Sequence, residues 1–108
     1  MADTTWIQVI TTTDSIAEAE KISRALVEKK LAACVQLVGP IMSVYSWQGK
    51  IETTEEYQLQ IKSNSELYSE IEKEIVSIHS YDTPEIISTP IINVSKDYLS
   101  WMKENTRH

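Results

Sequence analysis

The chain has 108 residues, 42% of them hydrophobic, and a formal net charge of −6 at pH 7. Single domains typically run to about 100–150 residues, so we expect one domain, residues 1–108, with an apolar core. An acidic protein repels a phosphate backbone, which argues against nucleic acid as a partner. No apolar run approaches the roughly 20 residues that a membrane helix needs, so no membrane association is expected.

Cysteine use and the first residues bear on the cellular compartment. Cys34 is the only cysteine, so no disulfide can form within the chain, and a reducing compartment is the natural setting. Residues 1–15 have neither the basic segment nor the apolar run of a signal peptide. These features predict a soluble, cytoplasmic protein.

The first third of the chain predicts a strand, a helix and a second strand. Residues 6–12 alternate bulky or β-branched residues with polar ones, as half-buried strands do. Asp14 or Ser15 caps a helix in which apolar residues recur every three or four positions. Residues 31–38 form a mostly apolar run, which predicts a central strand buried on both faces.

A long hairpin follows the bend expected at Gly39-Pro40. Its strands are residues 41–47 and 50–62, which are joined by a turn at Gln48-Gly49. Alternation in the second strand predicts one apolar side and one wet or partner-facing side. Three acidic residues of that strand are interpreted as a solvated face: Glu52, Glu55 and Glu56.

The last part of the chain predicts a helix, an interrupted strand and a short final helix. Ser63 and Glu66 form a second capping box ahead of an apolar helical stripe. Residues 85–94 predict a strand, which Pro90 confines to a sheet edge or a bulge. Ser95 is expected to cap the final helix.

This order of elements predicts an α+β fold of the ferredoxin-like, split βαβ type. The pattern βαββαβ plus a C-terminal helix places an antiparallel sheet under helices that cover one face. The hairpin is longer than one small sheet needs, and its projecting edges would be exposed. We therefore expect self-association, with a cyclic homo-oligomer as the natural form.

Five sequence fragments, in chain order, resemble the CutA divalent-cation tolerance proteins. They are LAACV at residues 31–35, YSWQGKI at 45–51, LQIK at 59–62, HSYDTPEI at 79–86 and YLSW at 98–101. The resemblance implies a homotrimer with a role in tolerance to divalent cations, copper above all, by binding or signalling. It also implies two alternatives: a sensor similar to the PII signalling proteins, with a small molecule in the clefts between subunits, or an interaction trimer with an indirect metal role.

Two departures from the family pattern affect the expected copper site. Some members are credited with a ligating Cys at the end of the first strand and a His-His pair before Pro-Glu, and the matching positions here are Thr11 and Ile78-His79. Only one of the three ligand positions therefore keeps a ligand type. Val94 stands where many members have Gly, which affects the turn into the last helix.

The remaining metal candidates are His79 and Cys34. Imidazole suits copper, zinc and nickel, and a thiolate suits Cu(I). The structural alternatives are that His79 bonds carbonyl groups at the end of its helix and that Cys34 is a small buried hydrophobe. No cofactor is obligatory, although a bound divalent cation such as copper is possible.

Aromatic and acidic residues supply the other candidate sites. Large rings with a polar handle are common at interfaces, although packing explains them equally well. The candidates for a ligand cleft are Glu85, Tyr81, Trp101 and Tyr98, and those for the trimer interface are Tyr45, Trp47 and Tyr57. The sequence contains no nucleophile motif, glycine-rich phosphate loop or spaced ligand set, so we do not expect an enzyme.

Overall fold

The computed structural model describes residues 5–107. Within that range the four strands are β1 (Trp6–Thr13), β2 (Cys34–Trp47), β3 (Lys50–Asn64) and β4 (Ile86–Pro90), and the helices are α1 (Ile16–Glu28), α2 (Tyr68–Ile78) and α3 (Lys96–Glu104). A 3₁₀ turn precedes α2. The strands form one antiparallel sheet in the order β2-β3-β1-β4. The predicted α+β fold with a long hairpin is confirmed.

One face of the sheet forms the core together with α1 and α2. Alternate residues of the two central strands, including Val9 and Leu59, are fully buried, as the two-residue period of a strand requires. They pack with the apolar stripes of both helices in one cluster. The helical members that are completely buried are Ala19, Ile22, Leu26, Ile71 and Ile75.

Strand β2 differs from its prediction in extent and position. It begins at Cys34 and continues past Gly39-Pro40 to Trp47, with a register shift between Val38 and Ile41. It is an edge strand and not a central one, and most of its residues are exposed. The prediction was wrong because an apolar run indicates that a strand tends to be buried. It does not indicate whether the surface that covers the strand belongs to the same chain.

Helix capping agrees with the sequence at α1 and differs from it at α2. Ser15 caps α1, because its hydroxyl accepts a hydrogen bond from the Glu18 amide at 3.2 Å. Ahead of α2 the capping acceptor is the Asn64 side chain and not Ser63. Ser63 instead belongs to β3, where its buried hydroxyl donates to the carbonyl oxygen of Leu31 at 2.6 Å.

The last strand is shorter than predicted, although it lies at the predicted edge. Strand β4 spans Ile86–Pro90 and pairs only with β1, so the predicted strand over residues 85–94 was too long. One further backbone hydrogen bond continues the pairing past Pro90, from the Ile91 amide to the carbonyl oxygen of Trp6 at 2.7 Å. Ser95 occupies the N-cap position of α3, but its side chain makes no capping hydrogen bond.

Candidate functional site

The segment that joins α2 to β4 lies at one end of the sheet. Helix α2 ends at Ile78, and His79 turns the chain out of the helix with an extended backbone. Pro84 rules out further helix because it lacks an amide hydrogen. We call residues 79–85 the junction loop. Its side chains contact the C-terminal end of β1, the first turn of α1 and the middle of β3.

The His79 side chain is completely buried and joins this loop to β1. Its Nε2 lies 2.7 Å from the carbonyl oxygen of Thr12, and its Nδ1 accepts a hydrogen bond from the Tyr81 amide at 3.1 Å. An acceptor at Nδ1 places the proton on Nε2, which then donates to Thr12. Both ring nitrogens are therefore engaged, and a metal ion at Nδ1 would have to displace the Tyr81 amide.

Glu18 of α1 gathers further polar groups beside His79. Its Oε2 accepts hydrogen bonds from the hydroxyl of Thr13 at 2.5 Å and from that of Ser80 at 3.2 Å, and lies 3.6 Å from His79 Nδ1. One carboxylate thus joins the first turn of α1, the end of β1 and the junction loop.

Glu56 on β3 is buried, which corrects its assignment to a solvated acidic face. Only 6% of the residue is exposed, and its Oε2 accepts a hydrogen bond from the Tyr81 hydroxyl at 2.9 Å. Burial, followed by this bond to a carboxylate, raises the pKa of Tyr81 well above its ordinary value of 10.0. Tyr81 therefore stays a neutral donor. The alternation of residues along β3 predicted that Glu56 faces solvent, because it carries no information about the loop that covers this residue.

A cleft of about 540 Å³ lies between the junction loop and the β2–β3 hairpin. Among the described residues its lining contains three carboxylates, three aromatic rings and several hydroxyls, but no Lys, Arg or His. A site with this lining favours a cationic ligand. The lining residues are Thr12, Ser43, Val44, Tyr45, Trp47, Glu56, Tyr81, Asp82, Thr83 and Glu85.

The structure separates the predicted cleft residues into two groups. Tyr81 and Glu85 line the cleft together with the predicted interface residues Tyr45 and Trp47. The other two predicted cleft residues are not in its lining: the rings of Tyr98 and Trp101 stack on each other, with centroids 5.4 Å apart and 30° between their planes.

Cys34 and Tyr57 occupy structural surroundings of their own. Cys34 is half-buried at the start of β2 and lies near Tyr98, whose pKa is raised by burial and then by the thiol. Tyr57 packs partly buried against the core. Its ring lies so close to Gly39 that a Cβ there would stand 2.7 Å from its Cδ1.

The expected metal ligands do not converge within one chain. No group of three or more His, Cys, Asp or Glu side chains among residues 5–107 is placed to hold a metal ion. Thr11, which stands at the position of an expected cysteine, is buried, and its hydroxyl has no hydrogen-bond partner in the described part of the chain. The residues present therefore do not form a complete copper site by themselves.

The sequence analysis missed several residues of this site. Glu18, Thr13 and Ser80 were not predicted as site residues, although the Ser15–Glu18 spacing did mark the start of α1. Thr12 and Ser43 also line the cleft without a sequence signal. Hydroxyl residues in strands are too common to indicate a ligand site on their own.

Comparison with known proteins gives a consistent match. The family model described as CutA1 divalent ion tolerance protein matches residues 7–105. The divalent-cation tolerance protein CutA of Archaeoglobus fulgidus is 44% identical over 86% of this chain and 90% of its own length. The crystal structure of CutA1 from Oryza sativa aligns with a TM-score of 0.92 at 36% identity, over 95% of this chain and 94% of that chain.

Location is less uniform among the similar proteins than fold. The chloroplastic protein CutA of Arabidopsis thaliana is 38% identical over 94% of this chain and 56% of its own length. Its name places that protein in a plastid. In the part of the chain that the structure describes, no helix is both long enough and apolar enough to cross a membrane.

Proposed function

The chain belongs to the CutA1 divalent ion tolerance family, and we propose on that basis that it is a cytoplasmic homotrimer that binds divalent cations, copper first among them, without catalysing a reaction. The observation that carries the proposal is the charge of the cleft. Asp82 and Glu85 are exposed at its rim and Glu56 is buried in its wall, and no cationic side chain described in the structure lines it. Such a site attracts cations.

Surfaces that the described residues leave uncovered support the proposed self-association. Strand β2 is a sheet edge, and the tip of the hairpin exposes large apolar side chains, among them Met42 at 73% and Ile51 at 75%. Exposed edges and apolar patches of this kind are typical of protein–protein contacts. Because the described residues of one chain supply too few ligands for an ion, a neighbouring copy would also complete the coordination.

The proposed ligands differ in the interactions that each would have to break before it could bind an ion. Asp82 and Glu85 are exposed, and none of their side-chain oxygens makes a hydrogen bond within residues 5–107, so they can bind an ion at no structural cost. His79 and Cys34 remain proposed ligands of a second kind, because His79 must first release the Tyr81 amide and Cys34 is half-buried near Tyr98. With both His79 ring nitrogens engaged, the ring is also not free to act as a general base.

Calorimetric titration with Cu²⁺ tests this proposal. We expect saturable binding to the wild type and about tenfold weaker binding to the double variant Asp82→Asn, Glu85→Gln, since each charged ligand strengthens a metal site. The control is Glu104→Gln, which removes one exposed carboxylate on α3, outside the cleft lining. Absence of heat from the wild type, or equal binding by the double variant, would contradict ion binding at the rim.

A small-molecule sensor is the second candidate function. It is favoured by the aromatic walls of the cleft, Tyr45, Trp47 and Tyr81, which a bare metal ion does not require. The volume of the cleft is in the range of about 300–1,000 Å³ that small-molecule sites occupy.

A further inference from the structure

The inner wall of the cleft holds a buried carboxylate, Glu56, that has no ion-pair partner among the described residues. Glu56 receives one hydrogen bond from the described residues, at Oε2 from Tyr81, so the other oxygen keeps its full accepting capacity. No salt bridge to Glu56 exists within residues 5–107. Glu56 Oε1 is not among the fully buried polar atoms that lack a partner, so this oxygen is accessible and can accept a hydrogen bond from a cationic group in the cleft.

The surroundings of Glu56 suit an ammonium group better than a metal ion. A divalent ion such as Ca²⁺ or Mg²⁺ requires about six oxygen ligands around one point, and no three ligating side chains of the described chain converge. An ammonium group needs only a few acceptors. The carboxylate of Glu56 and the hydroxyls of Thr12 and Ser43, all in the cleft lining, are of that kind.

The aromatic residues of the cleft point to the carbon chain that carries such a group. Trp47 and Tyr45 contribute rings to the same lining as Glu56, and Trp47 is half exposed. Indole and phenol faces attract organic cations and pack against their methylene groups. Exposed carboxylates at the rim, Asp82 and Glu85, would meet a second ammonium group on a ligand long enough to reach them.

We propose that this cleft binds a small aliphatic amine, with one ammonium group on Glu56 and its methylene chain along Trp47. The ligand is an organic cation and not the metal ion of the proposed function, and neither proposal depends on the other. The amine supplies the positive charge that the described lining lacks. Tyr81 fixes the Glu56 carboxylate in place, which makes it a positioning residue for this ligand.

Titration of metal-free protein with putrescine tests the inference, with Mg²⁺ as a probe of equal charge. We expect saturable binding of putrescine to the wild type and no comparable binding of Mg²⁺. Glu56→Gln keeps an acceptor for Tyr81 but removes the charge, and should weaken putrescine binding about tenfold. Trp47→Leu should weaken it about threefold, whereas Glu104→Gln should leave it unchanged. Light scattering on each variant verifies that its assembly is that of the wild type.

A second readout does not depend on the folding of these variants. Wild-type protein contains three tryptophans, and the indole N–H resonance of Trp47 should shift with putrescine while those of Trp6 and Trp101 stay in place. Overturning results are equal binding by Glu56→Gln, equal binding of Mg²⁺, or an unmoved Trp47 resonance. Binding of Cu²⁺ without putrescine would overturn this inference alone, and binding of putrescine without Cu²⁺ would overturn only the metal proposal.

Discussion

The junction loop and the outer end of the hairpin differ in which side chains they bury and which they expose. In the junction loop, His79 is polar and buried, and each of its ring nitrogens has a partner within the chain. His79 thus completes its hydrogen bonds within residues 5–107 and holds the loop to β1, whereas Asp82 and Glu85 of the same loop are exposed. In residues 41–51, which we call the outer hairpin, large apolar side chains are exposed, from 41% at Tyr45 to 75% at Ile51. The outer hairpin thus exposes apolar surface that the proposed trimer would cover.

The geometry of the sheet explains the exposure of the outer hairpin. Strand β1 pairs with β3 only from Thr13↔Tyr57 to Trp6↔Asn64, so β3 residues before Tyr57 have β2 as their only partner in the sheet. A two-stranded ribbon is marginally stable in water unless something packs on it. The length of the hairpin and its exposed apolar residues thus both support the proposed trimer.

The largest expected effect comes from charging the outer hairpin. Met42→Asp with Ile51→Asp should convert the proposed trimer to monomer, because two carboxylates would be buried without partners at the contact. Light scattering coupled to size exclusion would show the mass fall toward the 12.3 kDa of one chain. Val76→Asp changes a residue of α2 that is 55% exposed and outside the hairpin, and should leave the mass unchanged. A double variant with wild-type mass would show that the contact lies elsewhere.

The sequence predicted the elements of both regions better than their environment. The period of apolar residues located α1, alternation with the Gln48-Gly49 turn located the hairpin, and Pro90 indicated the edge position of β4. These signals depend on residues a few positions apart. The burial of Glu56 depends on Tyr81, which lies 25 residues further along the chain. No local pattern in β3 contains that information, and alternation alone placed Glu56 in solvent.

The same limit affected β2. Its apolar residues matched a central strand, and the structure places them at an edge of the sheet. The apolar composition of a strand reflects all the apolar surface that tends to be buried, including surface that a neighbouring subunit would cover. A single sequence therefore does not distinguish a strand in the core from a strand at an interface.

Removing His79 should have the next largest effect. His79→Ala leaves the Thr12 carbonyl without a donor and opens a cavity, so the free energy of unfolding should fall by about 2–4 kcal/mol. Urea denaturation of metal-free protein measures this. The control is Ser80→Ala, which removes one exposed hydrogen bond to Glu18 and should cost under about 1 kcal/mol. If His79 served only as a metal ligand, the metal-free stability of His79→Ala would equal that of the wild type.

The smallest expected effect is the alkaline dependence caused by Tyr81. Its pKa in the folded protein is raised above the ordinary value of 10.0, first by burial and then by the bond to Glu56. The contribution of Tyr81 to stability is therefore fully present below pH 10 and declines as the pH rises above it, because the unfolded chain loses the phenol proton first. The loss attributable to this group is at most about 1.4 kcal/mol per pH unit.

Comparison of the wild type with Tyr81→Phe isolates this contribution. Tyr68 and Tyr98 also have raised pKa values, so both proteins should lose stability in alkali, and only the difference between them reports on Tyr81. Urea denaturation from about pH 9 to about pH 11 should show a smaller decline for Tyr81→Phe. Parallel curves would mean that Tyr81 ionises equally in the folded and unfolded states. In that case Glu56 would have no permanent donor, and the junction loop would resemble the outer hairpin in needing a partner.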